Sequence, residues 1–291
     1  MNRVLITGAT GTIGIQVIES LIKLTSCPYL LAGVHNIDDS IQKLAKYNIH
    51  LVKFDFSAPQ CNKETLEKTD ILFLLRPPQI ANVQKYFEPL IHMASACNVK
   101  HIVFLSVQGV ENNRIIPHYK IEKLIIESKI PYTFLRAAYF MQNFLTTLNN
   151  DLVQKQLIFL PAGKAKFTLV DVRDVGAVAA AVISNHELHA NISYDLTSQD
   201  LLTFKEMAGK ISTILNLNIK FSSPNLLKFY FEKRKEKISP GFIAVVILLH
   251  YSPRFHKEPK ISDCVNEITG KAPIGFEQFL LDYSYLLSKK Y

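Results

Sequence analysis

The sequence predicts an α/β fold: a doubly wound parallel sheet with a smaller, mostly helical C-terminal region. Three observations predict it. Short apolar runs alternate with segments whose apolar residues recur at helical spacing. The connections between them are short, so strands and helices interleave and the strands run parallel. A glycine-rich turn stands between the first strand and the first helix. The chain has 291 residues, 48% hydrophobic and 20% charged, the make-up of a globular protein rather than a disordered or fibrous one. A chain of this size buries enough surface to need no disulfide or metal.

Arg3 leads straight into Val4-Leu5-Ile6, a buried parallel strand, so no secretory signal is expected ahead of the fold. Thr12 to Leu24 carries Ile13, Val17, Ile18, Leu21 and Ile22 at helical spacing. Tyr29 to Val34 reads as the second strand, followed by a weak helix over 38–46 with Asp38 or Asp39 as its N-cap. Ile49 to Phe54 is the third strand and Ile71 to Leu75 the fourth. A helix from about Ile80 to Cys97 contains Pro89, which predicts a kink. His101 to Ser106, a helix over 119–128 and a strand over 132–136 complete the alternation.

After Asn143 the pattern loosens. Leu157 to Pro161, Lys166 to Val170 and Ile192 to Leu196 read as strands, and Val172 to Ser184 as an alanine-rich helix. Phe204 to Leu215, Leu226 to Lys235, Gly241 to Leu249 and Phe276 to Leu287 read as helices. The expected division is a dinucleotide-binding domain over 1–150, to which 168–197 returns, and a helical substrate-binding region over 198–291.

The net charge of +8 attracts anions without naming them. Lys233-Arg234-Lys235 is interrupted by Glu232 and Glu236, which suits the solvated face of a helix. No nucleic-acid partner is expected from such dispersed basic residues. The apolar run from Phe242 to Leu249 is too short to span a bilayer. It reads as a buried helix, with a membrane-surface role as the lesser alternative, and no membrane partner is expected. Four widely spaced cysteines with no CxxC pair read as free thiols of a reducing, cytoplasmic compartment. No histidine or cysteine spacing suggests a metal site.

Gly8-Ala9-Thr10-Gly11-Thr12-Ile13-Gly14 places glycines at G-x-x-G-x-x-G spacing between strand and helix. A pyrophosphate needs close approach to bare backbone and the unpaired amides of a helix N-terminus. Gly8 permits the tight turn, Gly11 the approach, and Gly14 lets the helix pack closely. Thr10, Thr12 and Ile13 complete the expected phosphate site. This is the Rossmann-type arrangement, and it predicts a nicotinamide dinucleotide. The second strand ends Gly33-Val34-His35-Asn36 with no acid at its tip to hold a ribose 2′-hydroxyl. That favours NADP(H) over NAD(H), with His35 and Asn36 as ribose or phosphate contacts. Leu75 and Arg76, after the fourth strand, are expected in a loop near the cofactor's ribose.

These residues together resemble the NmrA-like family of atypical short-chain dehydrogenases, including its quinone and triphenylmethane reductase branch. Gly8 to Gly14 is similar to the family's GATGxxG. Ser106-Val107-Gln108-Gly109-Val110 resembles its SSxG turn. His118-x-x-x-Glu122 with Ser128 and Thr133-Phe134-Leu135-Arg136 resembles its HxxxE…S…TxLR block. Tyr139 to Asn143 is similar to its FMxN segment, and Glu267 to Lys271 leading to Phe276 to its TGxxP…F pattern. The resemblance implies that Asp55 and Phe56 lie by the adenine and that Ser106 contacts the cofactor. It implies a substrate site drawing on Gln108, Tyr139, Phe140, Met141 and Asn143.

Tyr119-x-x-x-Lys123 fits the tyrosine–lysine pair of classical short-chain dehydrogenases, but it is off register with this resemblance. Anchoring on Glu122 and Leu135-Arg136 puts His118 where relatives carry a lysine or histidine. His118 is therefore the candidate proton carrier, with Glu122 one turn on as its orienting group or as an ordinary i,i+4 partner. The expected activity is NAD(P)H-dependent reduction of a small apolar acceptor such as a quinone. The alternative is a non-catalytic redox sensor that binds the dinucleotide and acts through a protein partner.

Overall fold

The computed structural model describes residues 2–288. The chain runs β1 (Arg3–Thr7), α1 (Thr12–Ile22), β2 (Tyr29–Val34), α2 (Ile37–Leu44), β3 (His50–Lys53), α3 (Lys63–Glu67), β4 (Ile71–Leu75) and α4 (Val83–Ala96). It continues β5 (His101–Val107), α5 (Pro117–Glu127), β6 (Tyr132–Ala137), β7 (Tyr139–Phe140), α6 (Asn149–Lys155), β8 (Leu157–Phe159), β9 (Lys166–Val170), α7 (Val172–Ser184) and β10 (Ile192–Leu196). Then come β11 (Leu201–Thr203), α8 (Phe204–Leu215), β12 (Lys220–Ser222), α9 (Leu226–Lys235), α10 (Pro240–Tyr251), α11 (Cys264–Thr269), α12 (Phe276–Asp282) and α13 (Ser284–Ser288).

Two compact units share the chain. The first takes the chain up to Ala137 with Val172–Leu196 and Asp263–Ala272; the second takes Ala138–Asp171, Thr197–Ser262 and the chain from Pro273. Two causes move these boundaries from 150 and 168–197. Tyr139 pairs with Leu169 in a separate small sheet instead of extending β6. Further on, α11 returns to pack on α7 of the first unit.

In the first unit seven parallel strands lie in the order β10-β6-β5-β4-β1-β2-β3. The order reverses between β1 and β4, the switch point at which sheets of this kind bind ligands. The strands are apolar on both faces because helices cover both. Leu5, Leu72, Ile102 and Phe104 pack with Phe87, Leu90 and Ile121 in one continuous core cluster. On α7, Gly176 sits so close to α1 that a Cβ there would lie 2.6 Å from the Gln16 carbonyl oxygen.

The expected cap of α2 is corrected. Asn36, not Asp38 or Asp39, is its N-cap, and its side chain accepts from the Asp38 amide at 3.0 Å. Asp38 and Asp39 fall in the first turn, where carboxylates favour the helix dipole. Pro89 is accommodated inside α4, on an exposed position.

The second unit holds two small sheets, β11-β9-β7 and β12-β8, with α6, α8, α9, α10, α12 and α13. Its core gathers Phe144, Phe204, Met207, Phe229, Phe276 and Phe279, all essentially inaccessible. Each such side chain contributes roughly 1.5–3 kcal/mol by leaving water. One expectation fails here. The apolar helix α10 buries only Ile243, Val246 and His250, while Phe242, Val245, Leu248 and Leu249 are exposed. Within the basic cluster, Lys233 is not solvated either: it turns inward to Asp151 and to Glu236.

Candidate functional site

The glycine turn lies at the carboxyl end of β1, beside β4 at the switch point. Thr7 fixes this end of the strand pair. Its hydroxyl donates to the Phe73 carbonyl at 3.2 Å and accepts from the Leu75 amide at 2.8 Å. Gly8 then turns the chain with φ of 62°, a left-handed conformation that glycine adopts without strain. The Gly11 amide donates to the Gly8 carbonyl at 3.0 Å. A Cβ at Gly14 would lie 2.3 Å from that same carbonyl oxygen, so only glycine lets α1 start this close to the strand.

The first turn bond of α1 runs from the Ile15 amide to the Gly11 carbonyl at 2.9 Å. The amides of Thr12 and Ile13 precede it and have no intrahelical partner. No side chain caps this end, and its first turn holds no acid. An exposed helix N-terminus with open amides and bare backbone at Gly11 is a fit for a phosphate group. A second sign stands at the end of β5. The Ser106 hydroxyl is buried and has no hydrogen-bond partner. A buried, unsatisfied hydroxyl at the ligand-binding edge of a sheet is what a bound partner would relieve.

At the tip of β2, His35 is exposed, with Nδ1 3.5 Å from the Asp55 carboxylate. Asn36 spends its side chain on capping α2 and on donating to Asp39 at 2.8 Å. Asp55 accepts from the Ser57 hydroxyl at 2.6 Å and the Ser57 amide at 2.8 Å, which hold its carboxyl below the usual range. Lys53 is paired with Val34 across β2 and β3, and its charge also favours the Asp55 carboxylate. The exposed Lys53 therefore supplies a cation beside His35 that the sequence reading missed. Parallel pairing of β2 with β3 is the signal that would have found it. Phe56 is buried edge-on against Phe54, leaving little of it to meet a ligand.

Leu75 packs under the glycine turn, where its Cδ2 would touch a Cβ at Gly8 at 2.8 Å. Arg76 is not free in solvent. Its Nη1 donates to the carbonyls of Pro77, Pro78 and Ile80 at 3.1, 3.2 and 2.8 Å and so shapes the loop after β4. Its Nε donates to His118 Nε2 at 3.5 Å. His118 opens α5 right after Pro117, with its ring 6.0 Å from that of Phe104. Burial first, and then the Arg76 charge, push its pKa down to about 3. The imidazole is therefore neutral near pH 7, with Nε2 as an acceptor.

Glu122 does not orient His118. Arg136 grips it through two bonds, Nε to Oε1 at 3.1 Å and Nη2 to Oε2 at 2.8 Å. A buried carboxylate held by a planar fork is a strong structural pair, and it explains why the helix and strand of that block occur together. Lys123 is exposed and reaches Glu127 at 3.6 Å. Gln108 donates to Asp195 at 3.4 Å. Burial raises the Asp195 carboxyl above its ordinary range.

The remaining expected residues fall in the second unit. Tyr139 and Met141 belong to its apolar core. The Tyr139 hydroxyl meets His250 Nε2 at 3.2 Å, and burial pushes its pKa up. His250 Nδ1 donates to the Val246 carbonyl at 2.7 Å, so Nε2 accepts from the tyrosine. Phe140 and Asn143 are half-buried. Among the described residues, no group of three histidine, cysteine, aspartate or glutamate side chains could hold a metal ion.

Comparison with known proteins agrees with this architecture. The chain is 28% identical over 276 residues to prestalk A differentiation protein A of Dictyostelium discoideum, spanning 95% of this chain and 90% of that one. It is 28% identical over 210 residues to quinone oxidoreductase 2 of Escherichia coli strain K12, spanning 71% and 72%. It shares its fold with the Citrobacter sp. triphenylmethane reductase solved with NADP(H), at a TM-score of 0.85 and 22% identity, over 96% and 99% of the two chains. The sequence profile of the NmrA-like family matches residues 1–232. A match over that much of the chain, on the fold and turn described above, establishes that this protein belongs to the NmrA-like family.

Proposed function

We propose that this protein is an NAD(P)H-dependent reductase that passes hydride to a small apolar acceptor such as a quinone. The glycine cradle carries the reading: open amides at Thr12 and Ile13, with close approach allowed at Gly11. The names of its relatives support it, since one is a quinone oxidoreductase and another a reductase solved with NADP(H). The dinucleotide supplies the hydride when bound. The chain's own residues bind and orient. Gly8, Thr10, Gly11, Thr12, Ile13 and Gly14 hold the pyrophosphate. Asp55 lies by the adenine, while Phe56 packs beneath it against Phe54. His35 and Lys53 face the 2′-phosphate, while Asn36 holds the α2 end in place. Leu75 and Arg76 shape the loop by the ribose, and the Ser106 hydroxyl finds its partner on the cofactor.

With a pKa of about 3, His118 has no proton to give at neutral pH. Water supplies it, as reduction of a quinone by hydride permits. His118 instead holds the Arg76 loop by accepting its Nε–H.

Titration with NADPH and NADH, followed by a panel of quinones with the loss of reduced nicotinamide as readout, tests the proposal. NADPH should bind and be consumed. Gly11→Val should abolish binding while leaving the fold intact, because Gly11 is exposed with φ of −84°. Lys53→Gln should weaken NADPH about fivefold and leave NADH unchanged. The proposal is lost if neither dinucleotide binds, or if Gly11→Val binds as well as the parent.

The neutral His118 also favours a second reading, a dinucleotide-binding regulator that acts through a protein partner. It predicts binding without turnover across the whole panel, and a partner affinity that differs between NADP and NADPH.

A further inference from the structure

Within the second unit, α10 carries no acidic residue, lysine or arginine between Pro240 and Tyr251. A helix apolar all round is expected to be enclosed by protein. This one is not. Its inner side is fixed in the core by Ile243, Val246 and His250, while Val245 and Leu248 are 55% and 53% exposed and Phe242 and Leu249 nearly as much. The neighbouring helix α9, in contact with α10, also exposes large apolar side chains. Leu227 is 72% and Phe231 60% exposed, and the two lie one turn apart. Large apolar side chains clustered on two adjacent helices mark an interaction site rather than ordinary scatter.

The charges around the patch select what it meets. Lys228, Arg234 and Lys235 each stand one turn from Phe231 on α9, and all three are exposed. Glu232 pairs with Lys235 at 2.8 Å and Arg234 donates to the Ile238 carbonyl at 2.8 Å, so the rim keeps a cationic surplus. The chain as a whole carries +8. An apolar stripe edged by lysine and arginine is the pattern of helices that lie in the interface of an anionic bilayer. A symmetric contact between two copies would bring two such cationic rims together. No helix among the described residues is long and apolar enough to cross a membrane, so the contact is one of surface attachment.

We propose that the exposed face of α9 and α10 docks on the surface of an anionic lipid bilayer. The partner is a lipid surface, contrary to the expectation from the sequence. Phe242, Val245, Leu248 and Leu249 enter the boundary between headgroups and acyl chains, with Leu227 and Phe231 beside them. Lys228, Arg234 and Lys235 meet anionic headgroups. The proposal stands whether or not the reductase reading holds.

Vesicle co-sedimentation of the full chain tests it, with phosphatidylcholine vesicles made with and without phosphatidylserine. Binding should appear with phosphatidylserine, and should weaken steeply as salt shortens the screening length. The double substitution Lys228→Gln/Lys235→Gln should weaken it about fivefold per charge. Val245→Glu/Leu248→Glu should abolish it. Both positions are exposed, and an unchanged melting temperature and dinucleotide affinity will show that the fold survives. Equal binding to both vesicle types, no binding to either, or full binding by Val245→Glu/Leu248→Glu overturns the proposal. So does sedimentation equilibrium showing a stable dimer that this variant dissociates, because the face then belongs to a second copy.

Discussion

At the amino end of the parallel sheet, charges are paired. Asp70, just before β4, accepts from the Arg3 amide at 2.8 Å and from its Nε at 3.0 Å, and Lys100 lies 3.1 Å from its other oxygen. At the carboxyl end of the same strands two sets of groups are left open. The α1 amides have no cap and the Ser106 hydroxyl has no partner. The strand β5 shows the contrast along its own length. At its start His101 donates to or accepts from Thr133 at 2.9 Å, and only Nδ1, beside the His186 ring, is unmatched. Near its end Ser106 has nothing at all. One edge is arranged to hold three strands together; at the other, the α1 amides and the Ser106 hydroxyl stand without a protein partner.

The largest expected effect lies where these two demands coincide. Gly14 serves the fold and the cradle at once, since its missing Cβ is what lets α1 meet β1. Gly14→Ala should cost at least about 3 kcal/mol, because a 2.3 Å approach to backbone can be relieved only by moving the helix. Dinucleotide binding should fall with it. Chemical denaturation and a binding titration on the same sample check both. If Gly14→Ala melts like the parent, the close approach is not a demand of the fold and the comparison loses its sharpest point.

A smaller effect separates the edges. Asp70→Asn should lower stability by about 1 to 2 kcal/mol, the lower part of the range for charged hydrogen bonds, because Arg3 is 43% exposed and screened by water. Dinucleotide affinity should not change. The pH dependence has a definite sign. Arg3, through its side-chain bond, holds the Asp70 carboxyl far below its ordinary value. The stabilisation is complete above the unfolded pKa of about 3.9 and is lost progressively as pH falls from there toward the much lower folded value. Denaturation curves of parent and variant should therefore begin to converge below about pH 4 and meet only well below it. An altered affinity in Asp70→Asn would show that the amino edge is coupled to the ligand.

What was legible in the sequence follows from how local each signal is. The glycine turn, the strand runs and the α7 segment need only their own chain neighbours, and they stand where the sequence put them. Partners chosen by tertiary structure were not legible. Glu122 is claimed by Arg136 and His118 by Arg76, across 14 and 42 residues of chain. Lys53 comes to the β2 tip only through strand pairing. Asn36 displaced two aspartates as a cap because its amide both accepts from Asp38 and donates to Asp39. In α10 composition misled, since an apolar run states a preference for burial and not how much neighbouring protein is there to satisfy it.

The smallest expected effect concerns two histidines of the first unit, one buried and one half-buried. His101 at the amino edge and His118 at the carboxyl edge are pushed down to about 4 and about 3, both chiefly by burial. If position at the carboxyl edge made His118 an acid, its removal would cost roughly 100- to 10,000-fold in turnover. A neutral imidazole that only holds the Arg76 loop should cost less than about tenfold in His118→Gln, whose amide oxygen can still accept from Arg76. The turnover profile should then show no inflection from this residue between about pH 5 and 8. Stability gives an independent reading. The unfolded chain takes up this proton below about pH 6.5, whereas the folded chain resists it until about pH 3. Stability should therefore fall as pH drops through that window, and less steeply in His118→Gln. A parent curve no steeper than the variant's would place His118 in solvent contact and restore it as a proton carrier.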